Sequence, residues 1–241
     1  MNGILQNRRE NLNADLYSID SSQFLFPVHT DIIAKAEATN NSIVKKVTDI
    51  VITLILFIAV FSWLFPLIIL IIKITSKGPV FFKQERTGLN GQAILCYKFR
   101  TMTEGCKSVD TNGKFLQAVK NDPRITKVGR ILRRTSLDEL PQFWNVLKGE
   151  MSIVGPRPHP KELNEESILI IENYHLRNSV KPGITGLAQI KGYRGATHET
   201  GLMQERINYD IWYIKNWNII LDIKIIALTG YTVITGDENA Y

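Results

Sequence analysis

Asp138 and Glu139 are neighbouring carboxylates in the string Thr135-Ser136-Leu137-Asp138-Glu139-Leu140-Pro141, with the arginine pair Arg133 and Arg134 just ahead of them. An apolar stripe at Leu140, Phe143, Trp144 and Leu147, closed by Gly149, predicts a helix that starts inside this string. A structural role is open to both carboxylates: Ser136 with Glu139 has the spacing of a capping box, and Asp138 as N-cap would put Pro141 at a tolerated early position. A chemical role is open too. An aspartate is ionised at neutral pH and attacks phosphorus without a general base, provided that arginines and a divalent cation neutralise the anion it meets. Adjacent side chains on a helix diverge by about 100°. Asp138 can therefore face a phosphorus atom while Glu139 holds a metal ion.

Cations gather around this pair. From Lys120 to Lys148 there are seven positive residues against Asp122, Asp138 and Glu139, an excess of four. Ile125, Val128 and Leu132 recur at helical spacing with Lys127, Arg130 and Arg134 on another face, which is an amphipathic basic helix suited to a membrane surface, to phosphate, or to both. In Val154-Gly155-Pro156-Arg157-Pro158 two prolines stiffen a loop around one arginine, which can bind a phosphate with two parallel hydrogen bonds or simply face solvent. Lys181-Pro182-Gly183-Ile184-Thr185-Gly186 reads as a second loop near the same site.

The elements that must position these groups are also visible. Period-two alternation over Pro79 to Arg86 and Gln92 to Arg100, joined at Leu89-Asn90-Gly91, predicts a β-hairpin. On its second strand Lys98 and Arg100 share a face with Cys96, either as a solvated surface or as phosphate ligands. Between Asp49 and Lys73 lie 23 residues without a charge, about 34 Å of helix and enough to cross a hydrocarbon core of about 30 Å. Pro66 predicts a kink near Leu64 and Phe65. Lys45 and Lys46 before the run and Lys73 and Lys77 after it mark both ends as cytoplasmic, which a broken, re-entrant helix satisfies and a single span does not.

Toward the C-terminus, Met203, Ile207, Ile211 and Ile214 mark one helix, with Trp212, Tyr213 and Trp217 placed for a membrane interface or for a core. Met1 to Asn41 is polar, without sustained periodicity beyond the Phe24–Val28 patch. The apolar run lies too far from Met1 for a cleaved signal peptide. Cys96 and Cys106 read as reduced thiols, the four histidines are scattered, and no internal repeat occurs. A net charge of +6 suits an anionic partner. A tethered nucleic-acid-binding protein would explain that charge but would leave the carboxylates and the Pro-Arg-Pro loop without a task, and no stacking-aromatic motif is present.

Leu132 to Pro158, LRRTSLDELPQFWNVLKGEMSIVGPRP, resembles the signature of the bacterial sugar transferases known as monotopic phosphoglycosyl transferases. So do GPVFFKQERTGLNG and YKFRTM upstream and KPGITGLAQIKGYRG downstream, so that the resemblance runs from about Val44 to the C-terminus. It implies an α+β fold with a re-entrant membrane helix broken at Pro66, a β-hairpin and amphipathic surface helices, in the order 1–43 polar extension, 44–77 membrane helix and 78–241 catalytic domain. It implies transfer of a sugar 1-phosphate from a UDP-sugar to undecaprenyl phosphate, beginning a surface glycan at the cytoplasmic face of the bacterial inner membrane. Asp138 would be the nucleophile of a ping-pong reaction, and Glu139 the ligand of Mg2+. Lys98, Arg100, Arg133, Arg134 and Arg157 would bind substrate phosphates. The partners expected are UDP-sugar, undecaprenyl phosphate and membrane lipid, with no nucleic acid; a homodimer stays open. Gly192 to Thr197 and the sequence after it most resemble the members that use glucose, with galactose or an N-acetylated sugar as alternatives. A hydrolase of polyprenyl diphosphates would use the same residues and release inorganic phosphate instead of UMP.

Overall fold

The computed structural model of the protein describes residues 29–106, 116, 118–119, 121–193 and 200–235; the Phe24–Val28 patch, Lys120, Arg194 to Thr197 and His198 fall outside them. The fold is α+β, with two small two-stranded sheets among helices. Helix α1 (His29–Asn41) lies in the polar segment that showed no periodicity. It buries only a narrow face, Ile32, Ala36 and Thr39.

Ser42 then starts α2 (Ile43–Leu56), its hydroxyl accepting the Lys45 N–H at 3.3 Å. A π turn at Phe57–Phe61 joins α2 to α3 (Ser62–Thr75), and the continuous apolar helix has 33 residues, about 50 Å at 1.5 Å per residue. Leu64 and Phe65, where the kink was expected, are regular α-helix; the irregular turn lies upstream of them. Pro66 removes the N–H that would reach Ser62 and crowds the turn ahead of it, and the wide turn takes up the mismatch. Ser62 Oγ donates to the Ile58 carbonyl at 2.7 Å and Trp63 Nε1 to that of Ala59 at 3.1 Å, so carbonyls of the wide turn gain side-chain partners.

Buried Lys45, Thr53, Phe61, Ile68 and Ile72 recur at helical intervals, so one stripe of this helix lies on the rest of the protein from end to end. The opposite stripe, including Val47, Val51, Ile55, Ile58, Trp63 and Leu70, is exposed. At the first end Lys45 Nζ reaches Asp222 Oδ2 at 2.7 Å, the Val154 carbonyl at 3.0 Å and Tyr213 Oη at 3.2 Å. At the far end Arg100 donates from Nη2 to the carbonyl and hydroxyl of Ser76, both at 2.9 Å.

The hairpin forms as expected, β1 (Phe81–Thr87) antiparallel to β2 (Ala93–Phe99), with Phe81 opposite Phe99 and Thr87 opposite Ala93. Asn90 (φ 53°) and Gly91 (φ 79°) are both left-handed, which is what this turn requires and these residue types permit. Phe99 stacks on Phe81 and meets Phe65 edge-on at 5.1 Å, fixing the hairpin to the apolar helix. Helix α4 (Lys127–Arg134) is capped by Thr126, whose hydroxyl accepts the Gly129 N–H at 2.9 Å.

After a 3₁₀ turn and α5 (Phe143–Leu147) comes β3 (Ser152–Val154), which pairs in parallel with β4 (Gly183–Thr185) beyond α6 (Lys161–Ile170). The two strands meet backbone to backbone: a Cβ on Gly183 would lie 2.1 Å from the Gly155 nitrogen, and one on Gly186 2.3 Å from the Gly155 oxygen. The short α7 (Leu187–Ile190) leads on to α8 (Thr200–Asn216) and α9 (Ile219–Thr235). Met203, Ile207, Ile211 and Ile214 are buried, but so are Tyr209 and Tyr213, making α8 a core helix rather than a surface one. Tyr213 leaves the expected interface for the core because its hydroxyl has partners there, donating to Asp222 Oδ1 at 2.8 Å. Cys96 and Cys106 are free thiols, and Cys96 is fully buried beside Met151.

Candidate active site

Ser136 makes the corner that presents the carboxylates. Its left-handed backbone (φ 57°, ψ 13°) turns the chain sharply after α4, and residues Leu137–Gln142 continue as a 3₁₀ helix that accommodates Pro141 before α5. Neither predicted cap forms: Ser136, not Asp138, holds the N-cap position and makes no side-chain cap bond. A tight 3₁₀ start leaves both carboxylates inside the turn, where they face neighbouring elements, and both are buried.

Glu139 is held from two sides. Lys98 reaches up from β2 with Nζ 2.9 Å from Oε1. Arg157 sends Nη1 to Oε2 at 2.8 Å and Nη2 to Oε1, a two-pronged ion pair. Burial pulls the Lys98 ammonium below its ordinary value; Glu139 is the main opposing influence, and Arg86 and Arg157 add to the lowering. For Arg157 the balance reverses: burial works against its charge, but Glu139 outweighs burial and holds the guanidinium above its ordinary value.

Asp138 sits in the same electrostatic neighbourhood. It is among the charges that favour the cationic forms of Arg86, Lys98 and Arg157, and it is the strongest carboxylate acting on Arg133, whose guanidinium burial lowers. Arg133 is oriented by its Nε–H, which donates to Thr101 Oγ1 at 2.8 Å. Four cations, Arg86, Lys98, Arg133 and Arg157, stand against two carboxylates, a surplus of two positive charges. Such a surplus around a buried carboxylate pair suits a diphosphate.

The Arg157 loop is rigid for reasons beyond its prolines. Gly155 N–H donates to the Thr185 carbonyl and Gly183 N–H to the Pro156 carbonyl, both at 2.9 Å, so the KPGITG segment clamps it as its sequence position suggested. Arg177 donates from Nη2 to the Arg157 carbonyl and from Nε to Asp210 at 2.9 Å, below the loop. His159, which the sequence left without a task, lies between Tyr174 Oη (2.6 Å from Nδ1) and Arg206 Nη1 (3.2 Å from Nε2). Burial first, then Arg177 and Arg206, hold its imidazole well below the usual value, so it stays neutral.

Of the residues expected at the site, Asp138, Glu139, Lys98, Arg133 and Arg157 come together. Arg100 does not: it turns to Ser76, with Nε and Nη1 making no hydrogen bond, and braces the end of the apolar helix. Arg134 is exposed at the end of α4, and Pro66 lies in α3. Arg86 was missed. It donates from Nη1 to the Pro158 carbonyl at 2.6 Å, and its signal was no more than a cation late in a strand, FFKQERT, that is largely exposed. Among the described residues no three His, Cys, Asp or Glu side chains converge, so the site offers a metal ion the Asp138–Glu139 pair and little else.

The sequence profile of the bacterial sugar transferases matches residues 40–236. The chain is similar to a protein of Klebsiella pneumoniae named UDP-glucose:undecaprenyl-phosphate glucose-1-phosphate transferase, 51% identical over 191 residues that cover 79% of this chain and 40% of that protein. It is similar to the Escherichia coli K12 protein of the same name, 49% identical over 191 residues with coverage of 79% and 40%. An exopolysaccharide production protein, PSS, of Rhizobium leguminosarum bv. phaseoli is 48% identical over 170 residues, 69% of this chain and 83% of that one. The chain thus spans about 40% of the length of the first two relatives.

Proposed function

The chain belongs to the bacterial sugar transferase family, and on that premise we propose that it moves glucose 1-phosphate from UDP-glucose to undecaprenyl phosphate, releasing UMP. One observation carries this reading: a buried carboxylate pair set among four cations, with excess positive charge around it. The names of its relatives support both the donor and the lipid acceptor.

In the proposed reaction a carboxylate oxygen of Asp138 attacks the phosphorus that bears the sugar. A P–O bond forms to Asp138 as the bond to the bridging oxygen breaks, and UMP leaves with that oxygen and its electron pair. A phosphate oxygen of undecaprenyl phosphate then attacks the same phosphorus, and Asp138 leaves as a carboxylate. Lys98, Arg86, Arg133 and Arg157 hold the phosphate oxygens and offset the repulsion between anions. Glu139 positions Lys98 and Arg157, with both of its oxygens engaged.

A magnesium ion would be carried mainly by substrate phosphates and water, with Glu139 as its protein ligand once Lys98 and Arg157 turn from that carboxylate to the substrate phosphates. When bound it supplies charge neutralisation at the diphosphate.

The apolar helix attaches the protein to the membrane in a re-entrant manner, on the cytoplasmic face of the bacterial inner membrane. Supporting this, both ends of the 33-residue helix are tied to one body, Lys45 to Asp222 and Ser76 to Arg100, while its other stripe is apolar and exposed.

The reaction is tested with purified protein, undecaprenyl phosphate, magnesium and a panel of UDP-sugars, reading UMP release. Turnover should be highest with UDP-glucose; preference for another sugar would overturn the donor assignment, and release of inorganic phosphate without UMP would replace the transferase with a hydrolase.

A further inference from the structure

A cavity of about 150 Å³ is lined by the start of α2, by β3 and by the segment ahead of β4, with neither Asp138 nor Glu139 in its lining. Its floor is apolar and buried, with Met151, Val154 and Val180. Lys46, exposed, and Lys181, half-buried, stand at its mouth beside Asn40 and Asp49. The volume is well below the several hundred Å³ of a pocket for a drug-sized ligand, so a nucleotide-sugar does not fit, whereas a group the size of a phosphate does.

The charges around the cavity are unequal in their needs. Lys45 is satisfied by Asp222, and Asp49 accepts from Ser152 Oγ at 2.7 Å and from the Ile153 N–H at 3.1 Å. Lys46 and Lys181 have no ion-pair partner among the described residues. Lys181 is nonetheless held in place, since its N–H donates to Asn40 Oδ1 and Asn40 Nδ2 donates to the Ser179 carbonyl. Its ammonium is pushed below the ordinary lysine value by burial first and then by Lys46, with Asp49 offsetting part of this and Lys45 adding to it.

The cavity also lies where the exposed apolar stripe begins, beside Val44 and Val47. For a helix that enters a bilayer at this point, that is the level of the lipid headgroups. We infer that Lys46 and Lys181 form a site for the phosphate of an anionic phospholipid headgroup, separate from the catalytic cleft. The inference rests on the membrane placement proposed above and not on the reaction.

The full chain is reconstituted in nanodiscs of phosphatidylcholine with or without phosphatidylglycerol, and the phosphatidylglycerol retained after detergent extraction is measured by mass spectrometry. Lys46→Gln and Lys181→Gln should each lower retention about fivefold, the contribution of one lysine near an anionic surface, while Lys46→Arg and Lys181→Arg keep it. Undiminished retention in the double glutamine variant would overturn the site. So would displacement of the lipid by inorganic phosphate as readily as by phosphatidylglycerol, which would make the ligand a free anion. A raised KM for undecaprenyl phosphate with unchanged retention would reassign the lysines to the acceptor. UMP release by Lys46→Gln in pure phosphatidylcholine should match wild type, so failure of this site is distinguishable from failure of the proposed reaction.

Discussion

The guanidinium of Arg157 grips Glu139 with both of its terminal nitrogens, Nη1 lying 2.8 Å from Oε2 and Nη2 meeting Oε1. Its charge is therefore fixed beside the carboxylate pair before any substrate arrives, and a substrate phosphate has to share or displace Glu139 at the fork. Lysine in its place offers a point charge on a flexible stem. Arg157→Lys should raise the KM for UDP-glucose about tenfold or more with a smaller change in kcat, the loss expected of one charge-assisted two-pronged contact. An unchanged KM would remove Arg157 from substrate binding.

Asp138 lies inside the 3₁₀ turn, past the N-cap position that Ser136 holds, and is buried beside Glu139. With labelled UDP-glucose and magnesium but no lipid acceptor, the protein should retain a phosphosugar on Asp138 and release UMP. Asp138→Asn should abolish both while melting near wild type. Full activity in that variant would sink the covalent mechanism.

Glu139→Gln removes the charge that Lys98 and Arg157 share. Chelation of divalent cations should silence the wild type, and the variant should need a higher magnesium concentration for half-maximal rate. If the magnesium titration does not move, Glu139 is not the metal ligand.

Lys98 gives a pH signature. Its ammonium titrates below an ordinary lysine because burial disfavours the charge, so it becomes neutral earlier as pH rises. The alkaline fall of kcat/KM should then begin below the ordinary lysine range. In Lys98→Arg, whose guanidinium stays charged, that limb should move up. A profile identical in the two proteins would refute the assignment.

The buried Lys45–Asp222 pair fastens the apolar helix to α9. Breaking one side leaves the other charge stranded, so Lys45→Met should cost about 3–5 kcal/mol. A fall in Tm of roughly 10 °C would follow. The double change Lys45→Met with Asp222→Leu should recover much of this, and a double variant as unstable as the single would show that the pairing is not the cause.

Topology has its own test. Cysteines placed at Asn40 and Asn90 in a cysteine-free background should both resist an impermeant thiol reagent in intact cells. Labelling at just one of the two positions contradicts a re-entrant helix.

The hairpin was readable because alternation and an Asn-Gly turn are local signals, and the clustering of Asp138 with Arg133 and Arg157 followed from motifs of fixed spacing. What failed depended on contacts far along the chain. Helix α1 hid because its buried face is only Ile32, Ala36 and Thr39. Tyr213 resembled an interfacial residue until Asp222, nine positions on, gave its hydroxyl an inward partner. Arg100 shares strand parity with Lys98, yet it stands just past the end of β2, where the chain is free to turn it toward Ser76. Asp138 was offered as a cap by its spacing from Pro141; the left-handed bend at Ser136 moved the helix start and took that duty away.

Where Gly155, Gly183 and Gly186 meet, each position is closed to even one methyl group. The main chain that carries Arg157 is thereby frozen against a neighbouring segment nearly thirty positions away in sequence. Variation at this seam is forbidden by volume alone, whatever the chemistry in the cleft. A saturation mutagenesis map would show a band of intolerance at these glycines though none of them has a side chain to offer a substrate, and any drift of the protein toward a new sugar has to be written in side chains outside that band.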